Sequence, residues 1–115
     1  MSDERGGEVI KGTLDMIVLE VLQQRSMHGW GITELIEHRS NQLLSVNQGS
    51  LYPTLYRLVA RGWISSEWKI SDNNRQARFY TITRAGRAHL RAEATVWFRY
   101  AGAVTQVLRS SPALS

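Results

Sequence analysis

The 115-residue chain contains no cysteine, and it has only two prolines, two phenylalanines and three histidines. Without cysteine there is no disulfide framework, no thiolate nucleophile and no sulfur-ligated zinc or iron–sulfur site, a composition that fits a reducing compartment. His28, His38 and His89 are too scattered for a metal site, so neither a metal nor another cofactor is expected. Long apolar runs are also missing: the stretch 16–22 is interrupted by Glu20 and falls far short of the roughly 18 residues that a membrane span needs. The first eight residues are acidic and glycine-containing, without the apolar centre of a signal peptide. A cytoplasmic chain with no membrane partner is therefore expected. Catalytic patterns are absent too. Asp15, Ser26 and His28 are the residue types of a triad, but none lies in a nucleophile-bearing motif, and no glycine-rich phosphate loop occurs. The expectation is that the protein is not an enzyme.

What is present is material for one compact domain, with 43% hydrophobic and 21% charged residues. The net charge of +4 is unevenly laid out. Residues 1–44 carry four basic and seven acidic side chains, a balance of −3, whereas residues 45–115 carry ten basic and three acidic, a balance of +7. A basic half on a small chain points to a polyanion, nucleic acid before an anionic membrane surface.

Hydrophobic spacing divides the chain. Leu14, Ile17, Val18, Val21 and Leu22 form one face of a helix over about 13–25, with Thr13 and Asp15 as its start. Gly29 and Gly31 mark a break, at which His28 reads as a turn or helix-entry residue, before a short helix over 32–39 with Leu35 and Ile36 inward. Residues 40–45 read as a turn with room for a brief strand. A third helix spans about 47–61, with Leu51, Leu55, Leu58 and Val59 buried, Gly62 as its stop, and Pro53 expected to distort or delay its first turn. Beyond Gly62 the period becomes two: Ile64, Ser66, Trp68 and Ile70 alternate with polar residues, residues 71–74 turn, and 78–82 alternate again, which is a hairpin with Asn73 and Asn74 as turn formers. Thr83 is placed to cap a final helix over about 84–108, in which Leu90, Ala94, Trp97, Ala101, Val104 and Leu108 recur at spacings of 4, 3, 4, 3 and 4. Helix, helix, helix, hairpin, long helix is the order of a winged helix-turn-helix with a helical extension.

On the third helix the face opposite the buried stripe carries Gly49, Pro53, Tyr56, Arg57 and Ala60, with Ser50 and Tyr52 on the flanks. Small residues between tyrosines and an arginine suit insertion into a DNA groove, where arginine reaches guanine edges or phosphate and tyrosine reaches phosphate. Five arginines and no acid lie between Arg75 and Arg91. Arg75 and Arg78 are the charges that a wing on the sugar-phosphate backbone needs. A last helix of about 24 residues is roughly 36 Å long, longer than a small winged domain covers, so its seam is expected to meet a second copy about a twofold axis. Trp97, with Phe98 beside it, reads either as plain core of that interface or as the site for a planar apolar effector there.

Several segments resemble the PadR family of bacterial transcriptional regulators: Lys11-Gly12-Thr13-Leu14-Asp15, His28-Gly29-Trp30-Gly31-Ile32, Gly49-Ser50-Leu51-Tyr52-Pro53-Thr54-Leu55-Tyr56-Arg57-Leu58, Gly62-Trp63-Ile64, and Tyr80-Thr81-Ile82-Thr83-Arg84-Ala85-Gly86. The likeness spans about 9–108, and the Leu-Tyr-Pro segment is its most specific part. It implies a winged helix-turn-helix, a homodimer through the C-terminal helix, and repression of a nearby operon that a small molecule relieves in some members. It also implies that Tyr52 contacts DNA, although the helical wheel puts it on the flank, from which a first turn distorted by Pro53 would swing it outward. Trp30 stands where the family more often has tyrosine, and the single C-terminal helix resembles the short-tailed branch.

The fold expected is mainly α with a small β-hairpin: a winged helix-turn-helix domain over 9–83, a dimerisation helix over 84–109, and tails at 1–8 and 110–115. The function expected is sequence-specific binding of double-stranded DNA by a homodimer on a pseudo-palindromic operator, through Gln48, Ser50, Tyr52, Pro53, Tyr56, Arg57, Arg75 and Arg78. The alternative is a dimeric winged-helix protein-interaction module without specific DNA binding.

Overall fold

The computed structural model describes residues 3–110, with side chains from Thr13 onward. Its elements are α1 (Asp3–Leu22), β1 (Met27–His28), α2 (Gly29–Arg39), α3 (Gln48–Ala60), β2 (Ile64–Ile70), β3 (Gln76–Ile82) and α4 (Arg84–Arg109). This is a winged helix fold with a long C-terminal helix. Met1, Ser2 and residues 111–115, parts of the expected tails, lie outside the described residues. None of the described helices is long and apolar enough to cross a membrane.

The apolar periods of α1, α2 and α3 are buried in one core, to which α4 adds only Leu90. Leu14, Val18, Leu19 and Leu22 of α1 meet Ile32 and Ile36 of α2, Leu51, Leu55 and Leu58 of α3, Ile64, Tyr80 and Ile82 at the hairpin base, and Leu90 at the start of α4. Each fully buried side chain of this size contributes about 1.5–3 kcal/mol, so the helices hold one another rather than standing on intrinsic propensity.

Several boundaries depart from the expected ones. α1 begins at Asp3, not Thr13, which puts Asp15 inside the helix instead of in its first turn. The brief strand does not fall in 40–45, which is turn and loop; it is β1, which pairs Met27 with Tyr80 and His28 with Phe79. The hairpin is thereby extended to a three-stranded antiparallel sheet in the order β1-β3-β2. His28 does serve at helix entry: its Nδ1 accepts from the Gly31 amide at 3.0 Å. α3 neither starts late nor breaks at Pro53. Asn47 caps it, its Oδ1 accepting from the Ser50 amide at 2.9 Å, and the helix runs on through the proline.

Two junctions fix the wing. At the end of α3, Gly62 takes a φ of +77°, and the amides of Gly62 and Trp63 return to the carbonyls of Val59 and Leu58. This is the closure that favours glycine at a helix end. At the start of α4, Thr83 donates its hydroxyl to the Gly62 carbonyl at 2.7 Å and accepts the Gly86 amide at 3.0 Å, while its own amide donates to the Trp63 carbonyl. Both ends of the hairpin are thus tied to the same short stretch of backbone.

Candidate nucleic-acid interface

The outer half of the hairpin outruns the sheet. β1 reaches only Phe79 and Tyr80, so beyond that pairing β2 and β3 have only each other. Ile64 and Ile82 at the base are buried, whereas Trp68 and Ile70, in the same alternation, are 61% and 64% exposed. Alternation here marks a face that looks toward α3, not a core.

Between that face and α3 lies a groove of about 690 Å³. Tyr52 and Tyr56 of α3 line it on one side, Trp68, Arg75 and Arg78 of the wing on the other, and Trp30 with Tyr80 between them. Burial pushes the Tyr80 phenol above its ordinary pKa, and the nearby Tyr52 and Tyr56 push the same way against Arg78. The hydroxyl therefore stays protonated at neutral pH and remains a donor. Arg78 is held rather than dangling: its Nε donates to Ser66 Oγ at 3.1 Å, and its guanidinium carbon sits 5.6 Å from the Trp68 ring centre. Arg75 stands near the tip, where Ser71 binds the Arg75 carbonyl through both its amide and its hydroxyl. Asn74 occupies the left-handed region at φ +62°, as a turn former does.

Tyr52 owes its place to a glycine. A Cβ on Gly29, the first residue of α2, would lie 2.8 Å from the Tyr52 hydroxyl oxygen and 3.2 Å from Cζ. The ring therefore lies over the entry of α2 with two-fifths of its surface open to solvent.

Of the residues expected at the interface, Tyr52, Tyr56, Arg75 and Arg78 converge on this groove. Gln48 and Pro53 are exposed on α3, and Ser50 is half-buried, but none of the three lines it. Arg57 departs from its expected place. Its side chain, still 40% exposed, pairs with Asp15 of α1, with Nη2 donating to Oδ1 and Nε to Oδ2 at 3.4 Å. That hydrogen bond raises its already high pKa. Sequence reasoning missed Trp30 and Trp68 as groove walls and Gly29 as the seat of Tyr52. The only signal for Trp68 was that a hairpin of two seven-residue strands outruns the core available, and Trp30 and Gly29 left none.

A second surface lies on the far side. Along α4 the seam is buried at Leu90 and then opens: Ala94 and Ala101 are half-buried, and Trp97, Val104 and Leu108 are 41%, 41% and 52% exposed. Trp97 and Phe98, their rings edge to face at 5.6 Å, share a groove of about 610 Å³ with Met16, Ile17 and Val21 of α1 and Leu44. Glu20 and Arg39, paired at 3.6 Å, are also part of its wall. Among the described residues no group of three or more His, Asp or Glu is placed to hold a metal.

Residues 18–92 match the family described as Transcriptional regulator PadR-like family. A transcriptional regulator of Mycobacterium tuberculosis is 37% identical over 84 residues, 72% of this chain and 74% of that protein. An uncharacterised protein of Lysinibacillus sphaericus is 26% identical over 90 residues, 78% of this chain and 83% of its own. A transcriptional regulator from Clostridium thermocellum has the same fold, with a TM-score of 0.78 at 23% identity over 86% of this chain and 96% of that one. So does a PadR-like transcriptional regulator from Bacillus cereus, at 0.76 and 24% over 88% and 96%.

Proposed function

The chain belongs to the PadR-like family of transcriptional regulators, and on that premise we propose that it works as a homodimer that binds a pseudo-palindromic operator in duplex DNA and represses a neighbouring operon. One observation carries the reading: the open tyrosines of α3 and the arginines of the wing line a single groove. In this reading α3 enters the major groove, Gln48, Ser50 and Pro53 at its leading end approach base edges, and the flanking strand passes between α3 and the wing. There Arg75 and Arg78 meet phosphates, with Tyr52 and Tyr56 as hydroxyl donors. The open seam of α4 supports a twofold dimer, which would set two α3 helices on half-sites about one DNA turn apart. The Trp97–Phe98 groove is of the size that holds a small planar apolar effector, and such a molecule would act at the interface.

A gel shift against the gene's own upstream DNA and a random duplex, each at two salt concentrations, tests this. Preference for the upstream DNA is expected. Equal affinity for both duplexes would leave the protein-interaction module as the better reading. In the same assay Arg75→Ala should weaken binding to every duplex and reduce the slope of log affinity against log salt by about 1.

Gly29→Ala makes a different prediction. The methyl group displaces the end of a flexible side chain, not backbone, so the protein should melt within a few degrees of the parent. Tyr52 must leave its seat, and affinity for the upstream DNA should fall about tenfold with the salt slope unchanged, as for the loss of one positioned contact. Unaltered affinity would show that the seat of Tyr52 is immaterial.

A further inference from the structure

The arginine that pairs with α1 marks a device that the DNA-binding reading does not by itself require. Asp15 lies inside α1 with its side chain 23% exposed, and Arg57 lies directly after Tyr56 on α3. Two guanidinium nitrogens address the two carboxylate oxygens, a fork-to-carboxylate pairing that fixes direction as well as distance. The same Nη2 lies 3.4 Å from Thr54 Oγ1, whose hydroxyl donates to the Ser50 carbonyl at 3.0 Å. A line of directed bonds therefore runs from α1 to the first turns of α3.

We infer that Asp15 and Arg57 are positioning residues, a tie that sets the roll of the DNA-reading helix on α1 and keeps Arg57 out of DNA contact. Leu51, Leu55 and Leu58 fix which side of α3 packs, and the directed pairing with Asp15 adds an angular restraint that non-directional apolar contact does not supply. A helix with its side chains is about 5–6 Å in radius, so a 15° roll moves a side-chain tip by about 1.5 Å, enough to break a hydrogen bond to a base edge. Tyr52 and Tyr56 ride on that roll. The pairing also neutralises Arg57 within the protein, so its charge releases no counterion from DNA.

The inference rests on the operator-binding reading, and the unsubstituted protein tests that first: no preference for the upstream DNA over a random duplex would remove both. With preference present, Asp15→Asn, Arg57→Gln, Arg57→Lys and the double variant Asp15→Asn with Arg57→Gln decide the tie, with melting recorded alongside. Each should lose about tenfold in affinity for the upstream DNA and little for the random duplex, with the salt slope unchanged in every variant except Asp15→Asn, which frees the Arg57 charge. The double variant should be no worse than either single one. Arg57→Lys, which keeps charge and bulk but not the planar fork, preserves folding and is the decisive variant. Full affinity with lysine, a slope reduced by about 1 with glutamine, or tighter DNA binding on release of Arg57 by Asp15→Asn would each overturn the tie and make Arg57 a phosphate contact.

Discussion

Trp97→Ala should convert the proposed dimer to a monomer, with loss of operator binding and no loss of fold. Within its own chain the ring is already more than half covered, and 41% of it stays open. A buried tryptophan removes up to about 250 Å² from water, so a partner would cover on the order of 100 Å² more, about 2.5 kcal/mol at 25 cal/mol per Å². A twofold axis presents the residue twice. The sum is on the order of 5 kcal/mol per dimer, which is more than about a thousandfold in the dissociation constant. Sedimentation over a concentration series reads the shift, and far-UV circular dichroism should be unchanged. Thr95→Ala, roughly 160° away around the same helix, should leave the dimer intact. If Trp97→Ala sediments as the parent does, the seam is not the interface. A half-site duplex separates lost dimerisation from lost reading, because each monomer keeps its own groove and should bind half-site DNA weakly, with the parent's salt slope per half-site.

The seam was legible because a period of 3.5 is a property of the sequence alone, and so was the cap at Thr83, where a hydroxyl residue precedes a periodic run. Long helices announce themselves repeatedly; two-residue strands cannot. Met27 and His28 show no period, and their pairing with Tyr80 and Phe79 exists only because α1 and α2 bring them to the free side of β3. The place of Trp68 in the groove was hidden for another reason. Alternation gives the face on which a side chain stands, but not what covers that face, and nothing covers this one beyond the reach of β1. The pairing of Arg57 with Asp15 was not legible because a helical wheel gives the direction of Cβ only. Even from the face opposite the buried stripe, a side chain as long as arginine can fold back to a carboxylate on a neighbouring helix, and the carboxylate was 42 positions away in sequence. The groove was therefore half legible: its charges and tyrosines could be named, but the tryptophans that wall it and the glycine beneath Tyr52 come from tertiary geometry.

Two glycines on α4 should respond to the same substitution with opposite signs. In an exposed helix interior, glycine to alanine gains about 0.5–1 kcal/mol because it restricts the unfolded chain. Gly102 meets this condition, since nothing lies within 4 Å of an added Cβ, and Gly102→Ala should raise the melting temperature by a few degrees. Gly86 is buried in the first turn, where an added Cβ would fall on the Trp63 carbonyl oxygen and 2.9 Å from Ile82 Cγ1. That oxygen cannot retreat freely, because it accepts the Thr83 amide, and Thr83 in turn holds both the Gly62 carbonyl and the Gly86 amide. Relief of the clash must either pull α4 off the hairpin base or break this cap. Overpacking costs about 1–3 kcal/mol and a lost hydrogen bond about 1 more, so Gly86→Ala should cost about 2–4 kcal/mol and lower the melting temperature by roughly 10–20 °C. Because the helical preference of alanine works the other way, a net loss at Gly86 is a lower bound on the cost of the steric contact. A melting temperature for Gly86→Ala at or above the parent's would mean that α4 is not seated against Trp63, and the wing would then lose the anchor that aims Arg75 and Arg78 at the groove.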